Sequence, residues 1–278
     1  MKQKFYAAMF DFDGTLTERM PYSPVPESLK KILEDLSRTV PIALCTARPF
    51  KTACPKMEKV FGDKFKNMGW VLITENGCAG YEFDKHQDKW IEFYRVKWPE
   101  QSIGKKALGE KIYENMRKYI GDYETAFQLN ESSIIFQPHY ENASIEEIAK
   151  RCDILEAGIK KILRGFKRDS LLKVINSKLG IIIIPKIADK DRGIEEFGKY
   201  LFRKYGKKFG SKYREIIVVG DQPAKNGNDE MFLKGRIGTP FTVGEILTSK
   251  YPLGVYKGKK RLTGPAATEY LLKSVKFC

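Results

Sequence analysis

Carboxylates placed at the ends of apolar runs carry most of the chemistry this sequence can do. Asp11-Phe-Asp13-Gly-Thr15 closes the run at 5–10, Thr46 closes the run at 40–45, and Gly220-Asp221 closes the run at 215–219. Short apolar runs bounded in this way read as buried parallel strands. Open α/β sheets bind their ligands beyond the carboxyl ends of such strands, so these side chains converge on one crevice. Two carboxylates two residues apart raise each other's cost of ionising unless a cation offsets them. A third, Asp221, completes a hard oxygen site suited to magnesium.

The segments that must position these groups alternate in type. Residues 27–36 place Leu29, Ile32, Leu33 and Leu36 on one helical face, behind a Pro26 suited to a first turn. A further apolar run at 70–73 ends in Thr74-Glu-Asn-Gly77. Strand, helix, strand, helix, strand with tight loops opens a doubly wound α/β sheet. Beyond residue 80 the pattern changes. Residues 81–93 alternate like a hairpin, and a helix follows through Leu108, Ile112, Met116 and Ile120. Strands are expected near 127–129 and 133–137. Ser144-x-x-Glu147 has the form of a capping box at the head of a long helix lined by Ile145, Ile148, Cys152, Leu155 and Ile159. The α/β pattern resumes near Pro185 with a helix at 193–205, the strand at 215–219, short strands at 236–237 and 253–256, and a last helix at 266–275. The predicted fold class is α/β: a doubly wound parallel sheet built from 1–80 and 185–278, with an α+β domain inserted at 81–184.

Composition narrows the class. A chain of 278 residues suits one large domain or two modest ones and can bury a core without disulfide or metal staples. With 42% apolar and 31% charged residues it reads as a soluble, folded protein. The longest aliphatic run, 181–184, is far short of the ~20 residues that span a bilayer, and the first residues do not resemble a signal peptide. Five cysteines at scattered spacings, with no Cys-x-x-Cys pair, indicate neither a disulfide framework nor a zinc site. A cytoplasmic location is expected. His86 and His139 are not at metal-ligand spacing. The net charge of +15 attracts polyanions and small phosphates alike.

The motifs also carry a family resemblance. Asp11-Phe-Asp-Gly-Thr-Leu-Thr17 resembles the first motif of the haloacid dehalogenase superfamily of phosphohydrolases and phosphomutases. Leu44-Cys-Thr46-Ala47-Arg48 is similar to its second motif, Lys190 in Ala188-Asp-Lys-Asp-Arg-Gly193 to its third, and the stretch from Gly220-Asp221 to Asn228-Asp229 to its fourth. The resemblance covers 1–80 and 185–278. It implies that Asp11 is a nucleophile forming an aspartyl-phosphate and Asp13 a general acid/base. It implies Mg2+ held by Asp11, the backbone carbonyl of Asp13 and Asp221, with Asp229 reaching the metal through water or through Lys190. Thr46, the backbone around Ala47, Asn228 and Lys190 would hold the transferring phosphoryl group. Lys186 is the alternative lysine, and Arg48 is read as a supporting or surface group.

The insert's position resembles the members with an α/β cap between the second and third motifs, a group that includes Cof-type phosphatases, sucrose- and trehalose-phosphate phosphatases and phosphomannomutases. Thr74-Glu-Asn-Gly77 also occurs in that group. The fourth motif departs from the commoner Gly-Asp-Ser-x-Asn-Asp. Asn228 and Asp229 stand seven and eight residues after Asp221, a longer form that resembles the loop of the eukaryotic-type phosphomannomutases.

The expected function is a Mg2+-dependent phosphatase acting on a small phosphorylated metabolite, a sugar phosphate before others. Two alternatives stay open. A phosphomannomutase-like phosphotransferase would need a second phosphate grip, and the insert carries few arginines (Arg95, Arg117, Arg151, Arg164 and Arg168). A nucleic-acid-associated protein would use the basic runs at 204–214 and 257–261, which no RNA-binding signature accompanies. A third basic run, Lys160, Lys161, Arg164, Lys167 and Arg168, is a candidate phosphate grip or a solvated helix face.

Overall fold

The computed structural model describes residues 4–19, 23–121, 127–139, 143–166, 170–225 and 227–278. The chain forms two compact units: Met1–Tyr94 with Asp189–Lys225 and Asp229–Cys278, and Arg95–Ala188 with Asn226–Asn228. Lys167 and Arg168 lie outside the described residues.

The first unit is built on β1 (Lys4–Phe5), β2 (Ala7–Phe10), β3 (Ile42–Cys45), β4 (Val71–Thr74), β5 (Ala79–Asp84) and β6 (Lys89–Arg95), and later β11 (Ile216–Gly220), β12 (Thr239–Thr242) and β13 (Leu253–Gly254). Eight of these strands form one sheet in the order β13-β12-β11-β2-β3-β4-β5-β6. Neighbours from β13 to β4 are parallel. The order runs outward from β2 in both directions, towards β3 on one side and β11 on the other. That reversal leaves a crevice at the carboxyl end of β2.

Alternation along each strand separates two cores. Ala8, Phe10, Leu44, Leu72 and Val219 face α1 (Glu27–Leu36), α2 (Phe50–Phe61) and, near the end of the chain, α7 (Gly264–Ser274). Met9, Ala43, Ile73 and Val218 face α5 (Lys190–Tyr205) and the short α6 (Glu230–Leu233). Leu29 and Leu33 of α1 are fully buried, as the apolar spacing predicts.

The second unit carries β7 (Phe127–Leu129), β8 (Ile134–Phe136), β9 (Leu172–Asn176) and β10 (Ile181–Pro185) as an antiparallel sheet in the order β7-β8-β10-β9. Its core joins Phe136, Ile181 and Ile183 to α3 (Lys105–Met116) and α4 (Ile145–Gly165). The capping box forms at Ser144: its hydroxyl accepts from Glu147 N at 3.2 Å, and Glu147 Oε2 accepts from Ser144 N at 2.7 Å. No helix among the described residues is long and apolar enough to cross a membrane.

Two expectations need correction. Residues 81–93, assigned to the insert, belong to the main sheet, so the junctions fall at 94/95 and 188/189 rather than 80/81 and 184/185. A hairpin's alternation is the same whichever sheet it joins, so it does not name its partner strand. β5 pairs antiparallel with β4, so the hairpin extends the doubly wound parallel sheet at one edge. The strand expected at 236–237 lies instead at Thr239–Thr242, because Gly235 and Gly238 hold left-handed backbone (φ +75° and +71°) that interrupts extended structure.

Leu29→Ala should lower stability by about 2–5 kcal/mol, the usual cost of emptying a buried leucine site. Lys31→Ala, on the exposed face of the same helix, should stay within about 0.5 kcal/mol. Urea midpoints measure both, and equal effects would show that the buried face of α1 is wrongly assigned.

Candidate active site

Asp11 follows β2 directly and lies at the crevice. Its backbone N–H donates to Val219 O at 2.9 Å, which ties it to the end of β11. Asp221 follows β11, so two neighbouring parallel strands deliver these two carboxylates. Gly14, with φ +84°, completes the turn after Asp11, and a Cβ there would lie 2.3 Å from Asp221 Oδ2. A side chain at 14 would displace Asp221. Asp11, Asp221 and Asp229 are all buried, and each offers an oxygen within 4.8 Å of the others.

Lys190 sits among them, fully buried. Its Nζ donates to Asp11 Oδ1 at 2.6 Å and to Asp229 Oδ1 at 2.7 Å. Asp229 Oδ2 accepts from Asp221 N at 2.9 Å and from Gln222 N at 3.1 Å. Lys186, the alternative lysine, is exposed. Asp189 places Lys190 by capping α5, its Oδ1 accepting from Lys190 N at 2.8 Å and from Asn76 Nδ2 at 3.2 Å.

The turn after β4 holds both sides of this arrangement. Glu75, Asn76 and Gly77 all have positive φ (+49°, +55° and +93°), a conformation that costs energy for the two non-glycine residues. Glu75 N donates to Arg48 O at 3.0 Å and Asn76 N to Thr46 O at 2.9 Å. A Cβ on Gly77 would lie 2.0 Å from Asp189 O. Thr74-Glu-Asn-Gly77 thus braces the loop after β3 on one side and the Asp189–Lys190 peptide on the other.

The charge balance is uneven. Three buried carboxylates share one buried lysine, with Arg19 Nε at 3.8 Å from Asp221 Oδ2. Burial pushes Asp11 up from 3.8 to about 7, against the pull of Lys190 and with help from Asp229. Burial likewise pushes Asp221 well above the usual carboxylate range, and its neighbours Asp229 and Asp11 add to the rise. For Asp229 burial acts the same way, but Lys190 and the two backbone N–H donors outweigh it and hold the group below its ordinary value. Asp221 Oδ1 is buried and has no hydrogen-bond partner among the described residues. An orphaned carboxylate oxygen within an uncompensated acidic cluster fits a hard divalent cation.

Asp13 does not join this cluster through its side chain. Its carboxylate accepts from Arg48 Nε at 3.2 Å and Nη2 at 3.0 Å, and from Lys56 Nζ at 3.2 Å. Arg48, read from sequence as a supporting or surface group, is therefore a direct partner of Asp13. Lys56 carries no sequence signal of its own. It lies midway along α2, and only the packing of that helix brings it to Asp13, with Nζ also 4.3 Å from the centre of the Phe12 ring. Thr46 is buried and its hydroxyl accepts from Arg48 N at 3.2 Å. Ala47 is half-buried beside it. Asn228 is buried, with Oδ1 unpartnered among the described residues, and groups by its contacts with the second unit. Cys45 is buried, and burial pushes its thiol well up, which disfavours the reactive thiolate.

No protein-family model matches this chain, and no curated protein does. Solved structures do match. A haloacid dehalogenase-like hydrolase from Bacteroides thetaiotaomicron shares the fold with a TM-score of 0.58 and 15% identity, over 88% of this chain and 90% of that one. The C-terminal domain of trehalose-6-phosphate phosphatase from C. albicans gives 0.62 and 18%, over 98% and 92%. An N-terminally truncated IMP-nucleotidase from Plasmodium falciparum gives 0.60 and 18%, over 98% and 70%. The chain therefore has the haloacid dehalogenase-like α/β fold that its four motifs imply, and the likeness runs through both units.

The raised Asp11 sets the sign of a pH effect. Its folded value lies above the unfolded one, so the folded state keeps a proton that the unfolded state releases. Stability contributed by this group is present below about pH 4 and is lost as pH rises towards 7. Asp11→Asn should therefore raise the urea midpoint at pH 8 and change it little at pH 4. Millimolar Mg2+ should narrow the difference at pH 8, because it stabilises only the protein with the acidic cluster intact. A midpoint lowered at pH 8 would reverse this account.

Proposed function

We propose that this chain is a phosphomonoester hydrolase of the haloacid dehalogenase type, taking a small phosphorylated metabolite, a sugar phosphate before others. One observation carries the reading: Asp11 stands at the strand-order reversal, bonded to a buried lysine and within reach of Asp221 and Asp229.

Asp11 is the nucleophile. One of its carboxylate oxygens bonds to phosphorus as the bond from phosphorus to the leaving oxygen breaks. Lys190 holds Asp11 in place through Oδ1 and offsets the anionic charge that gathers there. Asp13 gives the leaving oxygen its proton, then takes one from the water that cleaves the aspartyl-phosphate. Arg48 and Lys56 orient the Asp13 carboxylate between these steps. Thr46 and the backbone at Ala47 receive the phosphoryl oxygens. Asp11, the backbone carbonyl of Asp13 and Asp221 would hold Mg2+, with Asp229 acting through Lys190 and the 221–222 backbone. The metal supplies charge shielding that lets an anionic nucleophile approach an anionic phosphate.

The solved neighbours support a small substrate, since their names point to a sugar phosphate and a nucleoside monophosphate. The five free cysteines, four of them buried, support a reducing compartment such as the cytoplasm.

Phosphate release should be measured over a panel of hexose, disaccharide and nucleoside monophosphates, with Mg2+ or with EDTA. At least one sugar phosphate should turn over, EDTA should abolish release, and Asp11→Asn should lower it by about 10⁴-fold or more. Equal rates from Asp11→Asn would remove the assigned nucleophile. Isomerisation of a hexose phosphate without net release would assign the phosphotransferase reaction instead.

A further inference from the structure

The excess of basic residues is concentrated rather than spread. Between Glu196 and Glu215 the chain has seven cations and no carboxylate, and between Glu245 and Glu269 it has five and none. The fold sends the cations of 206–214, with Lys250, to one edge of the main sheet and those of 257–261 to the other. The hairpin of β14 (Tyr256–Lys257) and β15 (Lys260–Arg261) lies at the carboxyl edge. There Arg261 Nη2 donates to Thr242 O at 2.9 Å and Gly244 O at 3.2 Å, past the end of β12. Residues 206–214 precede β11 and lie at the amino edge, the side of the sheet away from Asp11.

At that amino edge the cations form a band. Lys4 of β1 pairs in register with Lys276 of β16 (Lys276–Phe277). Tyr6 N donates to Glu215 O at 2.8 Å, which brings the 206–214 loop alongside. Lys207 Nζ stands 4.3 Å from the centre of the Tyr6 ring. Tyr6 packs edge-on against Phe209 at 5.8 Å, and Phe209 against Tyr213 at 5.7 Å. Arg214 lies over Tyr251 at 5.0 Å, and Lys250 lies 5.8 Å from the same ring. Lys199 and Lys204 have carboxylate partners. Lys4, Lys207, Lys208, Lys212, Lys250 and Lys276 have none among the described residues. Glu215, the carboxylate within the band, is half-buried. Aromatic rings back two of these lysines, Tyr6 under Lys207 and Tyr251 under Lys250, and two rings on the last turn of α5 are open: Phe202 is 50% exposed and Tyr205 52%.

We propose that this amino-edge band binds single-stranded nucleic acid, separately from the Asp11 site. Several lysines gathered at one edge without carboxylate partners among the described residues suit the repeated phosphates of a strand. Exposed rings on the last turn of α5 supply faces for bases to stack on, without sequence preference. A membrane-binding face would instead present a broad apolar stripe of Trp, Phe and Leu opposite its basic residues, whereas the open rings beside these lysines are two, Phe202 and Tyr205.

Fluorescence anisotropy with labelled uridine and thymidine 20-mers, titrated from 50 to 200 mM salt, tests this. Wild-type protein should bind with strong salt dependence, about −0.7 in log–log slope per phosphate neutralised. K207E/K208E/K212E should weaken binding more than 10-fold and shrink the slope by about two, with an unchanged melting temperature. Tyr205→Ala should weaken it at least fivefold. K257E/K259E/K260E, at the other edge, should change it less than threefold. If the triple variant misfolds, photocrosslinking of a 4-thiouridine oligonucleotide to the wild-type protein replaces it, with crosslinks expected in 199–214. No binding at 50 mM salt overturns the proposal. So does equal loss from the two triple variants, crosslinking elsewhere, or binding to phosphatidylserine vesicles without binding to oligonucleotide.

Discussion

The arrangement depends on burying more negative charge than one lysine can balance. Lys190 bonds Asp11 and Asp229, and Asp229 spends its other oxygen on two backbone N–H groups. That leaves Asp221 with a buried oxygen that has no partner among the described residues. Hydrocarbon around such a cluster makes every ionisation costly, which is why Asp11 and Asp221 rise while Asp229 falls. An imbalance of this kind, with a buried carboxylate oxygen left over, fits a hard divalent cation.

Backbone geometry holds the imbalance in place. β2 and β11 set Asp11 and Asp221 side by side, and Gly14 leaves room for the second carboxylate. The turn at 75–77 accepts three left-handed residues in succession and in return braces two loops at once. One carries Thr46 and Arg48, and the other carries Asp189 and Lys190. Strain in this turn is offset by the contacts it makes on both sides, as is common where side chains must be held in register.

Positive charge is sorted by the same sheet. Parallel strands give the two edges different identities, one collecting carboxylates and their partners, the other collecting loops that precede strands. A run of lysines before β11 and a run after β13 therefore face opposite ends. Two stretches of similar composition acquire different surroundings from strand direction alone.

The sequence by itself determined the strand–helix alternation, the Asp11, Asp221 and Lys190 positions and the capping box at Ser144. These depend on local periodicity and on short motifs, which sequence displays directly. Tertiary structure decided the rest. Lys56 reaches Asp13 because α2 packs where it does, and no local pattern in α2 announces a carboxylate across the crevice. The hairpin at 79–95 joined the main sheet because strand pairing is a long-range choice that alternation leaves open. Asp229's part in the site, bonding Lys190 and the backbone, followed from where the long loop after Asp221 returned. Residues near in sequence share a helix face or a strand by geometry alone, whereas partners far apart in sequence meet only when the whole sheet has formed.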